Sequence, residues 1–566
     1  MGGIFFGIVN KNSRLNIGND FLASFNNLQN DNTTSIYQVQ ENTDINKVQD
    51  DRLKLLLSRR EIYEYKNYSF IFGKHSLLIN DQSYDGYQPF VYPIDHYKLQ
   101  NEDLMTIPQK KLLFSGEIYN YTDLKSNYKD YQLISDTDCQ VILPMYTELG
   151  IMETIKQLDG EFSFVLTDNL DTCKLSEINI FVVRDRFGTK PMYTIFNEKA
   201  EVYFFASELK CIPNYILSDS SFVISEIPPG CYWSFQEKTF INYYNLQGFK
   251  DENCITITKT NPDTLDSIYN NISTLITKSI IQKLPTFKFG VLLSGGFDSS
   301  LISSIICQSN KQPCFFTIGN GADNINSRTL INFLEKKHDI TLEHHIIDID
   351  IEDILIHLPE TISKVIKLLE IYDPDTIRDA IPFIYLFDYI KKYCSDINVL
   401  ISGDGLDEIA NGYPESDSLN DIQFLKTNVN LISNICKFDI LRTDKLSSFY
   451  GIEMRYPFLN ANFIEYYLTL SVKLRKRGVF NINDKGQQEW ISKFIVRKSF
   501  DSTILPFEIM WRNTSWSAQS IDTLESTLND YFLKVHDTTQ IKYYKSIFDK
   551  LYPVNVNATF WTDSFL

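Results

Sequence analysis

The sequence predicts a chain of two halves. An α+β half of layered β-sheets with helices outside runs to about residue 245, and an α/β half built on a parallel sheet begins at about residue 262. Three observations predict this. At 566 residues the chain is too long for a single core. Short β runs punctuated by turn residues fill the first half. In the second half apolar strands alternate with helical stretches, which is the pattern of a parallel sheet.

Taken in order, the opening "MGGIFFGIVN" reads as a buried strand. Phe6 does not suit N-myristoylation at Gly2, and Asn10, Lys11, Asn12 and Ser13 end the apolar run too early for a secretory signal. Further strands are expected in "YSFIFGKHSLLI", "KKLLFSGEIYNY", "EFSFVLTD", "INIFVVRD" and "EVYFFASE", with one good helical stretch, "DCQVILPMYTELG", among them. Residues 246–261 read as a linker. The helix "PDTLDSIYNNISTLITKSIIQKL" then leads to the strand "FKFGVLLS" and the helix "SSLISSIICQ". After these come the strand "PCFFTIGN", the helix "NSRTLINFLEKKHD" and the strands "LEHHIIDID" and "INVLISG". From about residue 420 the pattern is mostly helical.

Composition narrows the partners. Hydrophobic residues make up 43% and aromatics 14%, enough to fill globular cores. The formal charge of −18, from 72 acidic against 54 basic side chains, argues against nucleic acid as a partner and still permits a local nucleotide pocket. No apolar run is long enough to span a bilayer, so no membrane partner is expected. The nine cysteines include no CxxC pair and the seven histidines no HExxH, so neither a zinc ribbon nor a redox motif is indicated. Reduced thiols in a cytoplasmic protein are the expectation. His344 and His345 are adjacent in a strand-like run, so at most one can face a given site.

The strongest chemical signal is "VLLSGGFDSS", residues 291–300. An apolar strand ends in Ser294-Gly295-Gly296 and a helix starts at once. Ligands of parallel sheets bind at strand C-terminal ends, and a helix N-terminus offers unpaired N–H groups to an anion. Alone, Ser-Gly-Gly is a tight strand–helix turn; with Asp298 and the serine pair it points to a nucleotide. No GK[ST] follows, so this is not a Walker A loop, and Asp298 beside phosphate makes sense if Mg²⁺ bridges them. "VLISGDGLDE", residues 399–408, ends a second strand in the same way with Asp404, Asp407 and Glu408. On one sheet edge, Asp298 and Asp407 could share a Mg²⁺. By itself that loop would be a solvated acidic turn.

"GVLLSGGFDSSL" with "LISGDGLDEI" resembles the synthetase domain of the glutamine-dependent asparagine synthetases. The resemblance covers nearly the whole chain. "SGEIYNY", "DCQVIL", "LDGEFSFVLTD", "VVRDRFGTKPMY", "FASELK" and "IPPGCY" resemble that family's glutaminase domain in the same order, and "YDPDTIRDAIP", "GIEMRYPFLN" and "SKFIVRKSF" its later motifs. It implies an Ntn-type glutaminase-like domain over 1–245 and a PP-loop ATP-pyrophosphatase domain over 262–566. It also implies ATP and Mg²⁺ as cofactors, small molecules as partners and room for a homo-oligomer. The implied chemistry is activation of a carboxylate as an acyl-adenylate, release of pyrophosphate and attack by an amine. The family's substrates are aspartate and glutamine-derived ammonia.

By this resemblance Leu293, Ile318, Ser402 and Gly403 match contacts to the adenosine part of ATP. Ser294, Gly295, Gly296, Asp298 and Ser299 lie in the pyrophosphate loop, with Asp298 and Asp407 as Mg²⁺ ligands. Thr376 and Arg378 match residues that hold aspartate, an Arg fork suiting a carboxylate. Lys493 matches a Lys that stabilises charge in the amidation step. Asp404 stands where the family has a Glu next to the reacting carboxylate.

The glutamine pocket departs from the family. Gly2 stands where the family has a catalytic Cys, and Gly has no side chain to attack an amide. Ser115, just before Gly116 and Glu117, replaces an oxyanion-hole Asn, and Lys74 an Arg that would fork onto the glutamine carboxylate. The family's "RGPD" loop has no counterpart, while Asp138 matches an Asp for the glutamine α-amine. After Trp511 and Arg512, "NTSWSAQS" lacks the family's Lys. The expectation is an asparagine synthetase that uses ammonia, with a degenerate glutaminase half. The alternatives are a relative resembling the β-lactam synthetases, which carry Tyr in place of Asp404, and a non-catalytic nucleotide-binding relic.

Overall fold

The computed structural model describes residues 3–10, 59–65, 68–74, 88–92, 110–128, 131, 137–170, 175–250, 264–319, 322–349, 351–482, 488–501, 503–512, 526–532 and 538–555. Two compact units result, one from Met1–Tyr244 with Phe548–Leu566 and one from Asn245–Ile547. The division expected from sequence ran the second domain to the chain's end. Here the end joins the first unit, where Asn555 donates backbone and side-chain N–H bonds to the carbonyl of Leu217 and side-chain bonds to those of Asp219 and Phe222. Of the linker stretch, residues 251–261 lie outside the described residues.

The first unit holds β1 (Ile4–Asn10), β2 (Arg59–Tyr65), β3 (Tyr68–Lys74), β4 (Phe90–Tyr92), β5 (Lys110–Ile118), β6 (Gly160–Asp168), β7 (Asn179–Arg184), β8 (Tyr193–Asn197), β9 (Val202–Ala206), β10 (Val223–Glu226), β11 (Cys231–Ser234) and β12 (Thr239–Asn242). They form two six-stranded sheets, ordered β10-β8-β9-β1-β3-β2 and β12-β11-β7-β6-β5-β4. Alternation does the packing: Ile4, Phe6 and Ile8 of one sheet meet Leu113, Val165, Val182 and Trp233 of the other in a single core. The opposite face of the second sheet, with Leu112, Phe114, Phe162 and Phe164, packs on α1 (Tyr121–Asn127) and α2 (Ile142–Gln157). The layers are therefore sheet, sheet and helices. The opening stretch is a buried inner strand, β1, hydrogen-bonded to β3 and β9. Strands β2, β4, β8, β10, β11 and β12 add to the runs expected from sequence, and most are too short to show a clear alternation.

The second unit is α/β. Its parallel sheet comprises β13 (Gly290–Leu292), β14 (Cys314–Ile318), β15 (His344–Ile347), β16 (Val399–Ile401) and β17 (Glu453–Arg455), in the order β15-β14-β13-β16-β17. The strand order reverses between β13 and β16, which makes the crevice above their C-terminal ends the switch point where ligands bind. Gly290 lets these strands close up, since a Cβ there would come within 2.5 Å of a Leu400 methyl and 2.7 Å of the Phe316 ring.

Helices surround this sheet: α3 (Leu265–Gln282), α4 (Phe297–Gln308), α5 (Ala322–His338), α6 (Leu358–Leu369), α7 (Pro374–Tyr393), α8 (Leu406–Ala410), α9 (Asp421–Asn434), α10 (Asp439–Phe449), α11 (Ala461–Thr469) and α12 (Phe494–Lys498). Thr264 caps α3, whose Ile268, Ile272, Ile276 and Ile280 form its buried stripe. Asp373 caps α7 with Pro374 in its first turn, and Asn420 and Gln423 close a capping box on α9. The mostly helical stretch expected after residue 420 also contains β17 and a hairpin of β18 (Gly478–Ile482) and β19 (Gln488–Ile491). No helix among the described residues is long and apolar enough to cross a membrane.

Helices α6 and α10 are joined by a buried ion pair. Lys445 Nζ lies 2.5 Å from Glu370 Oε2 and donates to the Leu369 carbonyl at 3.1 Å, with both side chains buried. Removing one partner strands a buried charge. Lys445→Met should cost about 3–5 kcal/mol in the unfolding of the second unit. Adding Glu370→Gln should recover part of that loss, as read from urea denaturation of the two variants.

Candidate active site

The strand-to-helix turn after β13 is shaped by glycine and serine. Gly295 has φ +75°, where a side chain is strained, and Gly296 precedes the first turn of α4. The Ser294 and Ser299 hydroxyls lie 3.0 Å apart, and Ser299 Oγ also accepts from the Ser294 N–H at 3.2 Å, closing the loop on itself. The loop is anchored from below: Leu293 N–H donates to Phe316, and Thr317 Oγ1 donates to the Leu293 carbonyl at 2.6 Å. Ile318 follows at the end of β14. Gly403, after β16, packs so closely on the loop that a Cβ there would sit 3.0 Å from the Ser299 nitrogen.

Asp298, Asp407 and Lys493 meet directly. Lys493 Nζ lies 2.5 Å from Asp298 Oδ2 and 2.6 Å from Asp407 Oδ1. Burial alone would lower the pKa of the Lys493 ammonium, but the two carboxylates overcome it and hold that pKa above its ordinary value. Burial, reinforced by Asp407, pushes the Asp298 carboxyl up to about 6 against the pull of Lys493. Asp298 Oδ1 is buried without a hydrogen-bond partner among the described residues, while the Asp407 side chain is 44% exposed. A hard, partnerless carboxylate oxygen beside a second, accessible carboxylate fits Mg²⁺, and these two residues would hold it.

Two features fix Lys493. Its backbone is left-handed, with φ 58°, at the entry to α12, a conformation that costs a non-glycine residue about 1–3 kcal/mol. Arg497, one turn on, donates to the carbonyls of Ser492 and Met510 and lies 4.1 Å over the Phe297 ring at the start of α4. Nothing in the sequence marks Arg497; its nearly complete burial does.

The loop after β16 carries a second acidic group. Ser402 Oγ donates to Asp404 Oδ2 at 2.8 Å. Burial, then the like charge of Asp439, pushes the Asp404 carboxyl up to about 6, while Arg442 and Ser402 pull it down. Arg442 Nη1 lies 2.8 Å from Asp439 and 3.5 Å from Asp379, and Asp379 is paired with Arg378. Arg442 therefore links the surroundings of Asp404 to Arg378, a connection the sequence did not suggest. Arg378 also pairs with Asp375 at 2.8 Å, and the Thr376 hydroxyl donates to Asp373. Both expected substrate residues thus lie in the first turns of α7.

Residues 282–425 and 426–552 match the asparagine synthase family, and residues 59–225 match the glutamine amidotransferase domain family. The chain is 29% identical over 531 residues to an asparagine synthetase [glutamine-hydrolyzing] of Gallus gallus, covering 85% of this chain and 86% of the relative. It is 27% identical to a probable asparagine synthetase [glutamine-hydrolyzing] of Acanthamoeba polyphaga mimivirus, covering 87% and 88%, and 29% identical to asparagine synthetase [glutamine-hydrolyzing] 2 of Oryza sativa subsp. japonica, covering 81% and 76%. The chain belongs to the asparagine synthetase family. As a family member it is an enzyme, a carbon–nitrogen ligase of the class that forms amides with ATP.

In the family's amidotransferase half, Gly116 has φ +135°, and a Cβ there would meet the Glu161 carbonyl oxygen at 2.0 Å. Ser115 and Glu117 flank it, buried on β5. Asp138 Oδ2 accepts the Ile118 N–H at 2.6 Å, tying the end of β5 to the entry of α2. Lys74 ends β3 opposite Ile4, but its side chain, like Gly2, lies outside the described residues.

Gly412 borders the acidic cluster. A Cβ there would fall 1.5 Å from Asp407 Oδ1, a side-chain atom rather than backbone. Gly412→Ala should swing Asp407 away from Lys493 and leave the fold standing. Pyrophosphate release from ATP should fall about tenfold to a hundredfold with the melting temperature nearly unchanged. A wild-type rate would show that the position of Asp407 is immaterial.

Proposed function

We propose that this chain converts aspartate and ammonia to asparagine. The observation that carries the reading is Lys493 held between Asp298 and Asp407 beside the Ser294–Ser299 loop, at the switch point of a parallel sheet. An aspartate side-chain oxygen attacks the α-phosphorus of ATP, the bond to the β-phosphate oxygen breaks, and pyrophosphate leaves. Ammonia then attacks the acyl carbon, AMP departs on its oxygen, and the nitrogen loses a proton.

Backbone N–H groups from Ser294 to Ser299 would cradle the pyrophosphate, and Leu293, Ile318, Ser402 and Gly403 would contact the adenosine. Lys493, fixed in position and charged, stabilises negative charge on the reacting groups. Mg²⁺, when bound by Asp298 and Asp407, neutralises phosphate charge. Thr376 and Arg378 would receive the aspartate, whose carboxylate would compete with Asp375 and Asp379 for the guanidinium. The acidic Asp404 supports aspartate over the substrates of a β-lactam synthetase-like relative. The orphaned Asp298 oxygen supports a working site over a relic. Cys231, Cys307, Cys314 and Cys394 stand outside any disulfide, which suits a cytoplasmic location.

The glutaminase half is proposed to be inert. Gly2 brings no thiol, Ser115 is a weaker oxyanion donor than Asn, and Lys74 cannot fork onto a carboxylate. The ammonia would come from solution or from another protein.

With ATP and Mg²⁺, a panel of carboxylates should give its largest pyrophosphate signal with aspartate. Turnover with none of them would leave a nucleotide-binding relic. Asp298→Asn should lower that release by about a hundredfold or more, Asp407→Asn should behave alike, and the double variant should be little worse. Wild-type rates in either single variant would refute the assignment of these carboxylates. Glutamine should yield no glutamate above background, with or without ATP and aspartate, and Gly2→Cys alone should restore little; measurable glutaminase in pure protein would overturn this part.

A further inference from the structure

At the end of the parallel sheet opposite the nucleotide loop, four side chains from distant parts of the sequence converge. Cys314 opens β14, Glu343 and His345 flank the start of β15, and Cys394 follows α7. Each directs one ligand atom inward, and all four atoms lie within 4.8 Å of one another. His345 Nε2 is 3.7 Å from Cys394 Sγ and 2.9 Å from Glu343 Oε1. Bonds of about 2.3 Å to sulfur and 2.0 Å to nitrogen, at tetrahedral angles, put S and N about 3.5 Å apart.

The surroundings are those of a ligating set. The other ring nitrogen of His345, Nδ1, lies 2.9 Å from the Tyr389 hydroxyl, which fixes the ring and leaves Nε2 to face the cluster. The second oxygen of Glu343 lies 3.3 Å from Lys288 Nζ, which Asp396 holds at 3.1 Å. The Phe316 ring stacks on His345 at 5.4 Å, and both cysteines are buried. Glu343 is half exposed and gives the cluster an opening to solvent.

We propose that Cys314, Glu343, His345 and Cys394 form a structural zinc site in which four protein ligands fill the coordination sphere. Two soft sulfurs, one imidazole and one carboxylate are a donor set that favours zinc over Mg²⁺ or Ca²⁺. Binding converts the two thiols to thiolates and releases their protons, and the Lys288 ammonium offsets the negative charge left over. The ion ties the edge strand β15 and its neighbour β14 to the C-terminal end of α7, the helix whose first turns carry Thr376 and Arg378.

The test uses untagged full-length protein purified without chelator. Elemental analysis should find about one zinc per chain. Cys394→Ser and His345→Gln should each lose it, while Cys436→Ser, a buried thiol outside the cluster, should keep it. Stripped protein titrated with Co²⁺ should develop a sulfur-to-cobalt charge-transfer band and intense tetrahedral visible bands, both lost in Cys394→Ser. If Cys394→Ser fails to fold, His345→Gln, which keeps both thiols, carries the comparison. Folded wild-type protein with neither zinc nor the cobalt bands would overturn the site. So would zinc retained equally in all three variants, or a metal-free Cys314–Cys394 disulfide in the purified protein.

Discussion

The second unit is organised around one ammonium group held between two carboxylates. Asp298 follows β13, Asp407 follows β16, and Lys493 arrives from the far side of the β18–β19 hairpin. Two carboxylates on adjacent strand ends would repel each other, the more so because Asp298 is largely shielded from water. The lysine removes that conflict, and the carboxylates in turn keep it charged despite burial. Under the proposed function the same arrangement also supplies a cation to the polyphosphate. Stability and chemistry therefore make the same demand at this point, and neither requires a separate device.

Much of the neighbouring structure serves to hold that contact. The left-handed backbone of Lys493 is a strained conformation, and strain persists only where the surroundings over-determine it. Arg497 supplies part of that constraint through Ser492, Met510 and Phe297. On the other side, the buried Asn428 caps the carbonyls of Glu408 and Ile409 at the end of α8, and Arg475 holds Asn428. The short helix that carries Asp407 is thus fastened at its C-terminal end by side chains from α9 and from the segment after α11. The absence of a side chain at Gly412 leaves room for the carboxylate itself.

The fold class and the two strand-end loops were legible in the sequence because their signals are local. An apolar run ending in Ser-Gly-Gly, or in Ser-Gly-Asp-Gly, declares a strand terminus and a helix start within ten residues. Arg442, Arg497 and the Cys314–Cys394 cluster were not legible, since each acts through residues far along the chain. Cys314 and Cys394 share no motif spacing, and only the return of α7 to the start of the sheet brings them together. His345 illustrates the boundary: period-two alternation implies that it and His344 face opposite ways, and His344 indeed contacts Thr317 while His345 turns to Tyr389. Periodicity cannot supply the partners. The short strands β4, β10, β11 and β12 escaped for the converse reason, being three or four residues long and defined by pairing.

In the first unit, a motif and its chemistry come apart. Gly116 is required because the Glu161 carbonyl lies where a Cβ would be, and Asp138 binds the Ile118 N–H to hold the turn into α2. Both demands come from the backbone and hold whether or not glutamine ever reacts. "SGEIYN" would therefore persist in any chain that needs β5 and β6 to pack closely, so its presence speaks for the fold alone. A nucleophile answers to a different demand. The interdigitated core of the two sheets, from Phe6 and Ile8 to Trp233, is built from apolar residues and does not itself call for one. Sequence resemblance across this half consequently measures how well the scaffold is kept, and activity turns on a few side chains that the scaffold does not need.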